Sequence, residues 1–406
     1  MNRLLRAGVV LSMLLCVPTV VSCGRSTDTD TAPPPPAGPP APAPSQPAPA
    51  PAPKVTPSLR TVNGLRVLTL AGTPEQMGRQ HGELLGDDVR WVVERLIRDV
   101  TWGDAEIHKT FIERVRVMER FLDERWKREL RALADTAKVD YWDLVGVQLF
   151  GDVGRASYCS SFAVLGEATA TGECIVGRNF DYFYPSVAER ASILIDYHPA
   201  GAHRFITITW AGIINGWTLM NEHGIVTANN TAYSFGGNSL EGVSTCFMLR
   251  KVAEETKTVA EGVELVRKTP RACGTNLIIA GGTPPDATII EYDHERFHAR
   301  RPKGGRVLAT NSFLSLGREV EDEPTSGRYG ILDGLIRKHH GRIDRTMNFA
   351  AADGVPLTFI NLHSAMLFPK DLTFRAAMGE VPACRAEYRW FRMTPTGVVE
   401  AEPAAR

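Results

Sequence analysis

The chain has 406 residues, and its 46 basic side chains balance 46 acidic ones, so it carries no formal net charge. That balance gives no reason to expect nucleic acid or an anionic surface as a partner. The length exceeds one ordinary small domain, yet the first 57 residues lack the composition of a packed core.

Arg3 and Arg6 precede an apolar run from Ala7 to about Val21, shorter than the ~20 residues a membrane-spanning helix needs. Residues 1–23 therefore read as a signal peptide. The run ends in Val20-Val21-Ser22-Cys23, which resembles a bacterial lipobox, with Cys23 as the lipid acceptor. The expected location is the bacterial cell envelope, on its periplasmic or extracellular face, with the lipid as membrane anchor. Residues 24–57 are a Pro/Ala-rich linker that reads as an extended spacer of about 3.1 Å per residue.

From Pro74 to Gln148 the pattern is helical. Phe111, Val115, Met118, Leu122, Trp126, Leu130 and Leu133 recur at steps of three and four, as one amphipathic helix would place them. Beyond Cys159 the texture changes. "ASILIDYHPAGAHRFITITWAG" and "TNLIIAGGTPPDATIIEYD" each read as two β-branched strands joined by a turn. Strands arriving as hairpins predict antiparallel sheets. Helices return at about Ser244–Lys268 and Tyr329–Lys338, so the fold class is α+β with packed layers. Cys159 falls where the helical segment gives way to the sheets.

Cys16 lies in the signal and Cys23 at its end, leaving Cys159, Cys174, Cys246, Cys273 and Cys384. An odd count in an exported chain leaves at least one thiol free or paired outside it. A cut after Tyr158 would put a thiol and an α-amine on one residue. Such an amine titrates near 7.7–8.0 and is a base beside its own nucleophile. Arg178 follows one hairpin later and returns beside Cys159 to favour the thiolate. Asp181, three residues further on, is positioned to hold the amine.

These residues resemble a known family. "CSSFAV…GECIVGRNFDY" is similar to the mature start of N-terminal-nucleophile cysteine hydrolases, in particular the penicillin acyltransferase-like autoproteolytic branch and, more distantly, the choloylglycine hydrolases. "GWTLMNEHGIVTANNTAY" resembles the family's Asn-Glu-x-Gly segment, whose later asparagine falls on Asn230 or its neighbour Asn229. "LATNSF" resembles the second asparagine motif, at Asn311, and "EPTSGRYGIL" the segment carrying a second arginine, at Arg328. "LAGTPEQMGRQHGELL" looks like the opening of a helical pro-segment. The resemblance implies a four-layer αββα sandwich of antiparallel sheets at 159–406, the β chain, preceded by a helical pro-segment at 58–158, the α chain. It implies self-cleavage at Tyr158-Cys159, after which the two chains stay associated. It also implies attack by Cys159 on the amide of a small N-acyl substrate, with Arg178 and Asp181 positioning it. Asn230 and Asn311 would serve the oxyanion and substrate, Arg328 the electrostatics of the pocket, and no cofactor or metal would be needed. Tyr158 departs from the family's glycine before the cysteine, so cleavage by another protease stays open.

Two other readings compete. His294-Glu295-x-x-His298 has zinc-peptidase spacing, but that motif needs a helix and here follows a strand-like run. A non-catalytic surface lipoprotein that keeps the fold as a binding module is the other. No Gly-x-Ser-x-Gly elbow supports a serine hydrolase.

Overall fold

A computed structural model describes residues 55–154, 157–232, 234, 237–316 and 327–402. The expected signal peptide, Cys23 and nearly all of the linker lie outside them. No helix among the described residues is long and apolar enough to cross a membrane.

The described chain opens with a hairpin, β1 (Ser58–Val62) and β2 (Leu65–Gly72), turned at Asn63-Gly64 with φ of +43° and +75°. Asn-Gly is the strongest local hairpin signal, because both positions tolerate positive φ. The segment before Cys159, expected to be helical, therefore opens with two strands. Helices α1 (Pro74–Thr101), α2 (Ala105–Glu119), α3 (Glu124–Ala137) and α4 (Tyr141–Gly154) follow. Thr73 and Gln76 form a reciprocal capping box at the start of α1, and Asp104 caps α2. The apolar stripe from Phe111 to Leu133, expected on one helix, is divided between α2 and α3. Every member is buried all the same, because the break at 120–123 keeps Leu122 facing inward.

The strands after Cys159 are β3 (Tyr158–Gly166), β4 (Gly172–Asp181), β5 (Ser192–Pro199), β6 (Phe205–Trp210), β7 (Thr218–Asn221), β8 (Ile225–Thr231), β9 (Thr275–Gly281) and β10 (Asp286–Tyr292). The remaining six are β11 (Phe297–Arg300), β12 (Arg306–Ala309), β13 (Asn361–Phe368), β14 (Thr373–Met378), β15 (Arg389–Thr394) and β16 (Gly397–Glu400). Between them lie α5 (Pro185–Ala191), α6 (Thr245–Glu255), α7 (Val259–Lys268) and α8 (Arg328–Lys338).

One sheet runs β1-β2-β5-β6-β7-β8-β9-β10-β11 and the other β12-β3-β4-β13-β14-β15-β16. All but one of these pairings are antiparallel. The exception is β2 with β5, where Val67 to Gly72 run parallel to Leu194 to Pro199. A parallel pair needs a long crossover, and α1 to α5 supply one. The segment before Cys159 is thus woven into the first sheet.

The two sheets face each other across one core. Leu194, Ile206, Val226 and Ile278 of the first sheet meet Val176, Ala365, Phe374 and Phe391 of the second. Each of these side chains except Ala365 contributes about 1.5–3 kcal/mol on burial. Beyond the second sheet, Leu332 and Ile336 of α8 pack on Phe162, Ile175 and Met366. Beyond the first, the Asn221 side chain donates to the carbonyls of Ala253 and Thr256 at the end of α6. The α1–α4 helices continue that outer layer, with the Trp126 ring stacked on Phe247 of α6 at 4.8 Å. Helix, sheet, sheet, helix is the expected αββα order. Strands covered on both sides, such as β8 and β9, are buried at every residue and read as continuous rather than alternating runs.

Candidate active site

Cys159 is the second residue of β3 and Arg178 lies on β4, antiparallel to it. Cys159 pairs with Phe180 and Ser161 with Arg178. Residues two apart on a strand share a face, so Cys159, Ser161, Arg178 and Phe180 all point into the gap between the sheets. Arg178 is therefore a diagonal neighbour of Cys159, within reach of a long side chain. Its Nη2 donates to the Cys159 Sγ at 3.0 Å, and its Nη1 to the Asn179 carbonyl at 2.9 Å. The thiol is 1% exposed. Burial pushes its pKa up; the Arg178 charge and hydrogen bond pull it back, while the Asp181 charge raises it further.

Asp181 is three residues from Arg178, and an odd offset sends it to the opposite face. Its Oδ2 accepts from Arg328 Nη1 at 3.0 Å and from the Leu357 N–H at 3.1 Å, and its Oδ1 from Asn361 Nδ2 at 2.7 Å. In the intact chain Asp181 does not bond the Cys159 nitrogen. Asn311 does: its Oδ1 accepts the Cys159 N–H at 2.9 Å. Burial raises the Asp181 carboxyl to about 6, with Arg328 and Asn361 working against that rise.

Arg328, at the first turn of α8, ties these parts together. Its Nη2 donates to the Cys159 carbonyl and to Asn311 Oδ1, each at 2.8 Å. Asn311 stands just past β12, where Ala309 pairs with Ser161. Its Nδ2 donates to the carbonyls of Thr231 at 2.7 Å and Ser157 at 3.2 Å. The sulfur, nitrogen and carbonyl of Cys159 are thus each held by a different side chain.

Asn230 faces the second sheet from β8. It accepts from Ser161 Oγ at 2.8 Å and donates to the Ala309 carbonyl at 2.9 Å, spanning the gap one register step from Cys159. Asn229 points to the other face, and its Oδ1 has no hydrogen-bond partner among the described residues. Tyr158, half-buried, lies edge-on to Phe183 with ring centroids 5.8 Å apart, and its bond to Cys159 lies inside β3.

Three groups here went unforeseen. Asn361 starts β13, opposite Asp181. His363 is buried beneath Phe180 and bonded to Thr218 Oγ1 at 2.8 Å; burial and the Arg178 charge drive its pKa well down, so its ring is neutral. The Thr231 hydroxyl is hydrogen-bonded to the Ser157 hydroxyl. All three arrive through pairings distant in sequence, which no local pattern announces.

His294 and His298 do not share a helix. His294 sits in the turn between β10 and β11, donating from Nδ1 to the Arg271 carbonyl at 2.8 Å, and His298 lies on β11 opposite Glu291. The geometry of a zinc-peptidase helix is not formed.

The family model described as acyl-coenzyme A:6-aminopenicillanic acid acyl-transferase matches residues 169–334. That stretch contains Arg178, Asp181, Asn230, Asn311 and Arg328 and begins just after Cys159. Over 340 residues the chain is 22% identical to an uncharacterized protein of Archaeoglobus fulgidus, covering 70% of this chain and 56% of that one. It is 21% identical over 193 residues to the N-acylethanolamine-hydrolyzing acid amidase of Mus musculus, covering 45% of this chain and 51% of that one. Among solved structures, the Caenorhabditis elegans ortholog of that amidase superposes with a TM-score of 0.43 at 16% identity, covering 52% of this chain and 93% of that one. The chain spans about half the length of the curated relatives it matches.

Proposed function

We propose that this protein, a member of the penicillin acyltransferase-like family through residues 169–334, is an N-terminal-nucleophile cysteine amidohydrolase or acyltransferase made active by cleavage between Tyr158 and Cys159. The observation that carries this reading is the threefold hold on Cys159: sulfur on Arg178, nitrogen on Asn311, carbonyl on Arg328.

In the first step the Cys159 sulfur adds to the Tyr158 carbonyl carbon. The Tyr158–Cys159 C–N bond breaks as the nitrogen takes up the thiol proton, leaving a thioester. Water hydrolyses the thioester to the Tyr158 carboxylate and the free thiol. The former amide nitrogen is now an amine, and its hydrogen bond to Asn311 Oδ1 leaves the lone pair available as base. Cleavage has a second consequence. Asn311 Nδ2 and the Thr231 hydroxyl both engage Ser157 in the intact chain, and departure of residues 157–158 would free these hydrogen-bonding groups. Donors held in place before charge develops are what an oxyanion site requires.

In turnover the amine takes the thiol proton and the thiolate attacks the carbonyl of an N-acyl substrate. The amine leaving group departs with that proton, and water or an acceptor amine releases the acyl group from sulfur. The family description names acyl transfer to an amine, and the mouse relative's name records hydrolysis of N-acylethanolamines. Both place an acyl group on nitrogen, which is the substrate class proposed. Residues 1–23 would export and lipid-anchor the protein in a bacterial envelope, 24–57 would space it from the membrane, and 58–158 would remain bound as the α chain.

Intact mass and N-terminal sequencing of wild type beside Cys159→Ala test the reading. Wild type is expected to yield a fragment starting at Cys159, with the mutant uncut. An uncut, folded wild type would sink the proposal, and equal cleavage of the mutant would assign the cut to another protease.

A further inference from the structure

At the end of β6 and β7 remote from Trp210 and Trp217, the rings that meet Phe180, two imidazoles and a carboxylate converge. His203 precedes β6, and Glu222 and His223 form the tight turn between β7 and β8. His223 Nε2 lies 3.2 Å from His203 Nδ1, and His203 Nδ1 lies 3.5 Å from Glu222 Oε1. All three ligand atoms fall within 4.8 Å of one another. A tetrahedral zinc with bonds near 2.0–2.2 Å has ligand atoms about 3.3–3.5 Å apart along each edge. Two edges of that tetrahedron are already present.

We infer that His203, Glu222 and His223 form a surface site for a divalent transition-metal ion of the zinc type, completed by water. The donor set of two imidazoles and a carboxylate suits such an ion better than calcium or magnesium, which favour all-oxygen shells.

The backbone around the three ligands is held independently of any ion. Glu222 N–H donates to the Arg204 carbonyl at 2.9 Å, the Arg204 N–H to Glu222 Oε1 at 3.2 Å, and the His203 N–H to the Glu254 carbonyl at 2.9 Å. The Asn221 side-chain oxygen accepts from the N–H groups of His223 at 3.0 Å and Ile225 at 2.9 Å. Gly224 closes the turn at φ +72°, where a Cβ would come within 2.7 Å of the Pro369 carbonyl oxygen. Partners of this kind orient ligands before the metal arrives. With one water completing the shell, the ion would pin the segment before β6 to the β7–β8 turn. This places it in a structural role, away from Cys159.

The test uses untagged full-length Cys159→Ala protein, so that the site thiol adds no metal affinity. Zinc chloride is titrated calorimetrically, and cobalt(II) is followed by its visible absorption. One equivalent of zinc and the intense bands of tetrahedral cobalt are expected. His203→Gln and His223→Gln should each weaken zinc binding by at least about a hundredfold, since loss of a mere outer partner costs 10–100-fold. His298→Gln should leave it unchanged. Absence of a saturable equivalent in the parent, octahedral cobalt spectra, or full binding retained in both glutamine variants would each overturn the assignment. Circular dichroism confirms that the variants fold, and the parent's cobalt spectrum decides the matter should one of them fail to.

Discussion

Arg178 donates to the sulfur of Cys159 at 3.0 Å from nineteen residues along the chain, diagonally across the β3–β4 hairpin. Both groups are nearly inaccessible to water, so the guanidinium acts at low effective dielectric and offsets much of what burial does to the thiol. Replacing Arg178 by Gln removes that charge but keeps a donor. Cleavage at Tyr158-Cys159 and turnover of an N-acyl amide should both fall by about a hundredfold or more, in the range seen when one preorganised donor is lost. Lysine should restore part of the rate, having the charge without the fork. Rates from a time course of intact mass and from chromogenic amide hydrolysis check this. Equal activity of Arg178→Gln and wild type would remove Arg178 from the site.

Arg328 and Asp181 form a buried pair whose two ends serve different neighbours. Arg328 reaches the Cys159 carbonyl and Asn311, while Asp181 is held by Asn361 and Leu357. Arg328→Met strands a buried carboxylate and should cost about 3–5 kcal/mol in urea unfolding. Adding Asp181→Asn removes the stranded charge, so the double variant should recover part of that stability. It should not recover cleavage, because the Cys159 carbonyl still lacks its donor. Recovery of both would mean that Arg328 matters only for folding.

How much of this was legible depends on the sequence distance each feature spans. The hairpins at 192–210 and 275–292 could be read because both strands and the turn sit in one short window. The β1–β2 hairpin carried an equally local Asn63-Gly64 signal, yet eight-residue β2 merges into the approach to α1. The parallel pairing of β2 with β5 bridges more than a hundred residues and leaves no periodic trace. Motif resemblance named Cys159, Arg178, Asp181, Asn311 and Arg328, all of which the fold gathers into one network. Spacing alone does not show which face of β4 a residue takes, so the bonds of Asp181 to Arg328 and Asn361 were not legible. Asn361, His363 and Thr231 had no motif to announce them.

The segment before Cys159 is bound to the rest by an ion cluster as well as by strands. Arg250 on α6 donates to Glu129 on α3 at 2.6 Å and to Glu254 at 2.7 Å, and its guanidinium lies 4.7 Å from the Tyr197 ring centroid. Trp126 Nε1 also donates to Glu254 at 3.1 Å. Cleavage at Tyr158 breaks none of these contacts, nor the β2–β5 pairing. The cut protein is therefore expected to elute as one species on size exclusion. Arg250→Met leaves Glu129 buried without a counter-charge, while Glu254 keeps Arg125 at 3.3 Å, and should lower stability by about 3–5 kcal/mol. In the cut form, the α chain should then dissociate at lower urea than from wild type. Separation of the wild-type chains in buffer alone would contradict this.

His81 gives the fold an acid-sensitive point on α1. It is fully buried on α1, and its Nε2 accepts the Gly212 N–H at 3.0 Å, a bond only the neutral ring can make. Burial, with a smaller contribution from the Arg250 charge, lowers its pKa to about 3 from an ordinary 6.5. The sign follows from proton counting. The unfolded chain binds a proton at this histidine below about 6.5, whereas the folded chain resists until about 3. The stabilising contribution is therefore complete above 6.5 and is lost as pH falls toward 3. His81→Gln can keep an acceptor for Gly212 and does not titrate. Between pH 7 and pH 5 the wild type should lose about 2 kcal/mol more stability than this variant, at 1.36 kcal/mol per pH unit below 6.5. Urea unfolding of both proteins at the two pH values measures the difference. Parallel losses in the two would show that His81 takes up its proton in the folded state as readily as in water.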